Sequence, residues 1–209
     1  QQLEQEGLIK NAQAFLLYAR ISGDLNSFKA GQYLLKASST AQEIMDVLIK
    51  GKVVTVSFTI PEGFTLKQIA KTLADKGITT EEEFWRVVKE TDFPYEFLKD
   101  LPKTETRLEG FLFPDTYIIP KGWETEKVID LMLKRFAQVY AELPPNKSGL
   151  SMYETVILAS IVEAESKLDE ERPKIASVFL NRLKIKMPLQ ADATLQYAFK
   201  ERKERVLYK

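Results

Sequence analysis

Apolar residues recur along this chain mostly at the three- and four-residue intervals of amphipathic helices. The helices predicted from this spacing and from capping residues cover residues 3–21, 39–51, 64–77, 80–90, 94–100, 124–142, 153–166 and 171–184. Runs of β-branched and aromatic residues predict strands over 31–38 and 52–61, and a broken β-prone segment over 108–120. Because strands come early and helices outnumber them, the pattern predicts an α+β fold.

Two of the short helices share a capping residue, an apolar stripe and a terminal glycine. Thr40 begins one of them, with Glu43 three residues on, and Thr65 begins the other. Gly51 and Gly77 follow their last apolar residues. Two interpretations stay open: any short capped amphipathic helix has this pattern, or the chain contains two related small α/β units.

The predicted helix that contains "ILASIVEAES" places two charged residues in an apolar run. Leu158 and Val162 form one apolar row of this helix, and Ile157 and Ile161 form another. Both rows, continued by about one helical turn, reach Glu165. Helical spacing therefore places Glu165 at the edge of the apolar face.

The other glutamate of this run, Glu163, lies on a different line of the helix, four residues before Lys167. That spacing is typical of a surface ion pair. For Glu165 two interpretations stay open. At the end of the helix it can simply turn to solvent, or partial desolvation can raise the pKa of its carboxyl so that it acts as a general acid.

The amino-acid composition excludes several catalytic mechanisms and partners, but it says little about the fold. The chain has no His and no Cys, which excludes Ser–His and Cys–His catalysis and leaves carboxylates, Lys and Tyr for proton transfer. Lys and Arg number 30 and Asp and Glu number 30, so no basic excess favours nucleic acid or an anionic membrane surface as partner. No run approaches the roughly 18 apolar residues of a membrane span. We expect no metal and no cofactor.

Polar side chains follow on the next helix and in the segment after it. Asn181 and Arg182 are adjacent near the end of that helix, where a surface or inter-helix ion pair would equally account for Arg182. A loop predicted over 187–197 adds Gln190, Asp192, Thr194 and Tyr197. Such a set suits a sugar, whose hydroxyls need polar partners and whose ring faces need an aromatic. An Asp–Thr cap of a short helix is the alternative for Asp192 and Thr194.

Four segments resemble, in order, the signature segments of the MltG/YceG-like endolytic murein transglycosylases: "LEGFLFPDTY", "ILASIVEAES", "IASVFLNRL" and "MPLQADATLQY". The earlier segments "FKAGQYLL" and "GKVVTVSFTIPEG" resemble that family too, so the resemblance covers nearly the whole chain. It implies a small LysM-like α/β subdomain over residues 1–52. It also implies a mostly helical catalytic domain with a few strands over residues 53–209.

The resemblance implies a bacterial envelope enzyme that cleaves the β-1,4 bond between N-acetylmuramic acid and N-acetylglucosamine in nascent glycan strands and leaves a 1,6-anhydro end. The family's catalytic residue, the second glutamate of its "IVExE" motif, falls on Glu165. The candidates for substrate binding are Glu109, Asp115, Thr116, Asn181, Arg182, Gln190, Asp192, Thr194 and Tyr197. Further expectations are a single-pass anchor in the cell membrane, a catalytic part outside it, a role in ending glycan elongation, and peptidoglycan synthases as partners.

The sequence departs from the family pattern in one site motif and at both ends. Where the family has "Q-[ST]-D-P-T", this chain has "QADAT", with Ala191 and Ala193. Loss of the hydroxyl and the proline predicts a less rigid loop. The anchor and one strand are expected to precede this chain, and the catalytic domain is expected to continue beyond Lys209.

A lone protonated glutamate suffices for a lytic transglycosylase, because the C6 hydroxyl of the same muramyl residue serves as nucleophile. Two other functions stay open on the residues alone. One is a two-carboxylate muramidase with Asp115 or Asp192 as the partner of Glu165. The other is a non-catalytic peptidoglycan-binding or cell-wall scaffold module that uses the two small α/β units.

Overall fold

The computed structural model describes residues 1–51, 53–99 and 101–198, so the boundary predicted at residue 52 and the end of the catalytic segment after residue 198 lie outside the described residues. Helices and strands within these ranges are α1 (Gln2–Gln5), α2 (Ala12–Ile21), α3 (Ala41–Lys50), β1 (Thr55–Thr59), α4 (Leu66–Asp75), α5 (Glu81–Glu90), β2 (Thr116–Pro120), α6 (Thr125–Glu142), α7 (Met152–Glu165), α8 (Arg172–Lys184) and α9 (Asp192–Ala198). The predicted α+β class is confirmed. The helix predicted over 94–100 is a 3-10 turn, Glu96–Leu98.

The two strands form one antiparallel sheet, in which Ser57 pairs with Ile118 and Phe58 with Tyr117. Phe58 and Tyr117 are buried, and their rings stack with centroids 5.2 Å apart. The strand predicted over 52–61 is therefore confirmed in its central part, while the segment 108–120 becomes a strand only after its Pro–Asp break.

The main core lies between this sheet and helices α4, α5 and α6. Its fully buried side chains include Leu73, Phe84, Phe111 and Leu133. Phe111 comes from the "LEGFLFPDTY" segment and meets Phe136 of α6 edge to face at 5.1 Å. That signature segment is consequently fixed by packing on the largest apolar cluster of the molecule.

Helix α7 contacts two apolar clusters on different sides. Met152 and Val156 pack against the main core. Leu158 and Val162 instead belong to a second cluster, which also contains Phe179 of α8. Ser151 caps the helix, since its side chain accepts from Glu154 N while the Glu154 carboxylate accepts from Ser151 N. Helix α7 thus joins the main core to the smaller unit formed with α8 and α9.

The first 51 residues form their own small cluster, in which Phe15 of α2 packs with Ile44 and Met45 of α3. The cap predicted for α3 is confirmed, because Thr40 and Glu43 exchange hydrogen bonds. Its C-cap, Gly51, has the left-handed conformation that glycine adopts without strain. No helix within the described residues is long and apolar enough to cross a membrane.

Two predictions for this first segment are wrong. The helix predicted over 3–21 is divided into α1 and α2, with Gly7 between them at φ +70°. Residues 31–38 form no strand, because within the described residues a single backbone bond, from Val54 N to Gln32 O, joins them to another extended segment. One such bond does not make a ladder. Among the described residues, the first of the two predicted units is therefore helical without a strand.

Candidate active site

An open groove of about 660 Å³ lies between helices α7 and α8, beside the main core. Its lining includes Gly110 and Phe113 from "LEGFLFPDTY", Ser160 and Glu163 from "ILASIVEAES", and Ala176 and Leu180 from "IASVFLNRL". Three of the four signature segments therefore meet at one surface. Because the wall is mostly apolar, its charged side chains, Glu163 and Arg172, stand out as groups that can orient a ligand.

The structure corrects the assignment of faces on α7. Glu163 is exposed, as predicted, and it also lines the groove. Glu165 is exposed and is absent from the groove's lining, so the expected partial desolvation of its carboxyl is not observed. Ile157, which belonged to one of the predicted apolar rows, is 42% exposed. The single-face argument fails because α7 packs against two clusters rather than one.

The fourth signature segment contacts Glu165 directly. The backbone N–H of Ala193, in the first turn of α9, donates to Glu165 Oε1 at 3.1 Å. The other oxygen, Oε2, accepts no hydrogen bond from any described residue. Ala193 occupies the position where the family pattern has proline, which carries no N–H. The departure noted in the sequence therefore gives this chain a donor to Glu165 that proline would remove.

Arg182 holds the loop that precedes α9. Its Nη1 donates to the carbonyl of Leu189 at 2.6 Å and to Gln190 Oε1 at 3.3 Å. Gln190 has φ +53°, an uncommon backbone conformation for a residue other than glycine. Within the described residues Arg182 forms no ion pair. Asn181 is exposed, and its side chain makes no hydrogen bond to a described residue.

The segment after this loop is helical earlier than predicted. Helix α9 begins at Asp192, so Asp192, Thr194 and Tyr197 lie on a helix, and of the four polar candidates Gln190 alone stays in the predicted loop. The hydroxyl of Thr194 donates to the carbonyl of Ala191 at 2.7 Å. The short helix of that alternative is present, but Asp192 is its first helical residue and Thr194 its third, so neither occupies the cap position before the helix. This side-chain contact turns Thr194 toward its own backbone rather than toward a ligand.

Glu109 is the carboxylate that the structure does desolvate. It is half-buried, and its Oε1 accepts from Leu66 N at the start of α4 at 2.9 Å. Its Oε2 accepts from the hydroxyl of Tyr197 at 3.0 Å. Burial raises the pKa of Glu109, and the two hydrogen bonds lower it by less. Burial of the phenol and then the Glu109 charge raise the pKa of Tyr197 to about 12.

Asp115 and Thr116 belong to a separate polar contact at the edge of the sheet. Asp115 Oδ1 accepts from Thr116 N at 2.7 Å, and Oδ2 accepts from Arg135 Nε at 2.9 Å. These contacts, the first of them most, lower the pKa of Asp115. The Thr116 hydroxyl pairs with the Thr59 hydroxyl across the sheet at 2.8 Å. Asp115 is thus held as an ion by its own neighbours.

Sequence reasoning missed three members of this region. The sequence did not indicate that Glu163 lines a groove or that Arg135 pairs with Asp115, and Ala193 acts through its backbone. Arg135 also stands over the ring of Phe113, 5.6 Å from its centroid. A signal for Glu163 existed, since it belongs to the same signature segment as Glu165. No sequence signal marks a backbone N–H as a donor to a distant carboxylate.

Fold and site together define an α+β chain in which four signature segments meet around one glutamate-bearing helix. The profile of the YceG-like family matches residues 1–209. The endolytic murein transglycosylase of Bacillus subtilis (strain 168) is 34% identical over 223 residues, which cover 99% of this chain and 61% of that protein. That of Streptococcus pneumoniae (strain D39) is 35% identical over 222 residues, covering 94% and 40%.

A crystal structure of a YceG-like protein from Listeria monocytogenes is similar to this chain with a TM-score of 0.60 at 31% identity. It is matched over 99% of this chain and 72% of that one. The chain belongs to the YceG-like family. It spans 61% and 40% of the length of the Bacillus and Streptococcus relatives.

Proposed function

We propose that this chain carries the peptidoglycan-cleaving part of an endolytic lytic transglycosylase, the activity for which its relatives are named. The observation that carries the proposal is the meeting of the four signature segments around α7, with Glu165 Oε1 held by Ala193 N–H. A carboxyl fixed through one oxygen presents the other to a ligand. The substrate is a peptidoglycan glycan strand, cut between N-acetylmuramic acid and N-acetylglucosamine.

In the proposed mechanism Glu165 acts alone as acid and base. Protonated Glu165 gives its proton to the glycosidic oxygen as the bond from C1 breaks. The C6 hydroxyl of the same muramyl residue closes on C1, and its proton returns to the Glu165 carboxylate. The step therefore yields a 1,6-anhydro end and consumes no water. It requires that bound glycan cover the exposed carboxyl, because burial favours the neutral acid.

Two groups of residues would position the strand. Arg182 shapes the loop around Gln190 through three contacts to that loop, and Asn181 beside it has its amide unoccupied by described residues. The groove between α7 and α8 would receive neighbouring parts of the substrate against Phe113, with Glu163 at its wall. Asp115 and Thr116 would support the site without binding the substrate themselves, because their side chains already bond to Arg135 and Thr59.

The remaining expectations concern the whole protein. We propose that residues 1–52 correspond to the LysM-like subdomain and residues 53–209 to the catalytic domain. Support for this division comes from the separate cluster around Phe15 and Ile44 and the main core that begins with β1. The names of the relatives support a place in the bacterial cell envelope. A single-pass membrane anchor and contact with peptidoglycan synthases complete the proposal.

The test compares two glutamates two positions apart on one helix. Purified Glu165→Gln and Glu163→Gln variants and the wild type are incubated with glycan strands, and the products are analysed by mass spectrometry. We expect Glu165→Gln to lose about 10²- to 10⁴-fold in rate, as for removal of a general acid. Full activity of the Glu165→Gln variant would refute the assignment. A loss of this size in Glu163→Gln alone would assign the general-acid role to Glu163 in the groove.

The chemistry of the new ends separates the alternatives. Anhydro ends are expected for the lytic reaction, whereas reducing ends would indicate a two-carboxylate muramidase. Binding of strands by the wild type with no cleavage at any enzyme concentration would favour the scaffold module. Asp115→Asn serves as the second carboxylate control, because a muramidase that uses Asp115 would lose activity with it.

A further inference from the structure

Helix α9 connects two glutamates that belong to different parts of the molecule. In its first turn, Ala193 N–H donates to Glu165 Oε1 on α7 at 3.1 Å. Near its end, the Tyr197 hydroxyl donates to Glu109 Oε2 at 3.0 Å. Glu109 follows Leu108, which is fully buried in the main core. The Tyr197 contact therefore ties α9 to the main body across 88 positions of sequence.

Glu109 has the properties of a fixed anchor rather than of a group free to bind sugar. It is half-buried, and each of its carboxyl oxygens already accepts a hydrogen bond from the protein. The donor to Oε1 is Leu66 N, in the first turn of the ten-residue helix α4, where a carboxylate is favourably placed. Its position is consequently set by the main body before any ligand arrives.

Helix α9 needs such an anchor. It has seven residues, too few for a helix to be stable by itself in water. The side chains that the second cluster receives around its start are the small ones of Ala191 and Ala193, beside Leu189. Tyr197 is 56% exposed, so its ring is only partly buried. Its hydroxyl contacts Glu109 in the main body.

We propose that the Tyr197–Glu109 hydrogen bond positions helix α9 so that Ala193 N–H holds Oε1 of Glu165 and leaves Oε2 directed at the substrate. The inference rests on the proposed role of Glu165 as general acid. Tyr197 and Glu109 are positioning residues in this arrangement, which act through α9. This differs from the substrate-binding role that the family resemblance implies for them.

The first experiment follows the Ala193 amide and needs no substrate. Amide hydrogen exchange is measured by NMR in the wild type and in Tyr197→Phe, which removes the hydroxyl and keeps the ring. We expect exchange at Ala193 to become about three- to tenfold faster, the equivalent of one lost hydrogen bond. Tyr18→Phe, a tyrosine on α2 remote from this contact, is the matched control. Unchanged exchange at Ala193, within twofold of wild type, would overturn the proposal.

The second experiment separates positioning from substrate binding in the steady-state constants. Tyr197→Phe and Ala193→Pro, which removes the N–H itself, are each expected to lower kcat about three- to tenfold with KM unchanged within twofold. If Tyr197 acts through Ala193, the double variant falls no further than Ala193→Pro. A rise in KM with unchanged kcat would assign Tyr197 to substrate binding and overturn the proposal.

Glu109 supplies the conservative rescue. Glu109→Gln retains an oxygen that can accept from Leu66 N and gains an NH2 that can donate to the Tyr197 hydroxyl oxygen, so we expect its kcat and its Ala193 exchange to stay near those of the wild type. Glu109→Ala removes both acceptors and is expected to match Tyr197→Phe in both measurements. Equal behaviour of the Gln and Ala variants would contradict the proposal. Full activity of Glu165→Gln would instead refute the proposed function, and the exchange measurement would still decide whether α9 is anchored through Glu109.

Discussion

The main core and the second cluster differ in how completely they exclude water. Phe111 and Leu133 in the main core are fully buried. In the second cluster, Leu158 and Phe179 keep 8% and 7% of their surface exposed. The main core is closed by a sheet and three helices, whereas the second cluster is covered by α7, α8 and the start of α9. The candidate site lies on the less completely buried of the two.

This difference in burial predicts which region opens more easily. Local opening costs least where few apolar side chains are buried, and binding segments are drawn from such regions. Helix α7 belongs to both clusters, because Val156 packs on the main core and Val162 on the second. Its first half therefore packs on the main core, while its last turn, with Glu165, contacts the smaller unit formed by α8 and α9.

The sharpest test of the comparison removes the same atoms from each cluster. Leu133→Ala in the main core is expected to lower the free energy of unfolding by about 4–5 kcal/mol, the upper part of the range for buried leucine. Leu158→Ala in the second cluster is expected to cost about 2–3 kcal/mol, because a partly exposed site leaves a smaller cavity. Urea unfolding measures both, and equal losses would mean that the two clusters are packed alike.

The next largest effect is expected at the junction of the two regions. Gly110 has φ +81°, and a Cβ atom built there would lie 2.6 Å from Val156 Cγ1 on α7. Gly110→Ala is expected to cost about 1–3 kcal/mol from the backbone conformation, and more from this contact. Gly149→Ala is a matched control, since Gly149 has the same φ and open space around it. If both variants lose equal stability by urea unfolding, the contact with α7 is unimportant.

Helix caps provide a smaller, paired test. Ser151 caps α7 and Thr65 caps α4, each through a reciprocal capping box. Replacement of either residue by Ala is expected to cost about 1 kcal/mol. Amide exchange should separate them: Ser151→Ala should speed exchange mainly in α7 and α8, and Thr65→Ala in the main body. Identical exchange patterns would show that the molecule opens as one unit.

The smallest effect is expected at the edge of the main body, and it depends on pH. The Thr116 amide and Arg135 lower the pKa of Asp115 below 3.8, its ordinary value. A carboxyl with a lowered folded-state pKa stabilises the fold above its unfolded pKa, and this contribution is lost as pH falls through the folded value. Asp115→Asn should therefore have a lower melting temperature than wild type at pH 6, and the difference should shrink progressively as pH falls below 3.8. A constant difference across this range would contradict the assignment.

Local features of this fold were readable from the sequence. The caps at Thr40 and Thr65, the glycine at position 51 and the long helix α6 follow from rules that act within one or two turns. The strand expected over 31–38 failed for a non-local reason, since a strand needs a partner ladder that its own residues do not encode.

The site was predictable in its segments but not in its contacts. The signature segments contact one another, yet Glu165 is exposed outside the groove while Glu163 lines it, because α7 touches two clusters. The Tyr197–Glu109 contact joins residues 88 positions apart, and helical spacing carries no information over that distance. Ala193 was noted as a lost proline, whereas its structural effect is a gained N–H donor.

The close approach of Gly110 to Val156 has a consequence for how this sequence can diverge. Any Cβ at position 110 requires that the γ-methyl facing it on α7 withdraw. Descendants of this chain that lose the glycine should therefore carry alanine or glycine at position 156. Positions 110 and 156 are therefore expected to covary. Such covariation would reveal the close contact between the "LEGFLFPDTY" segment and α7 from sequences alone.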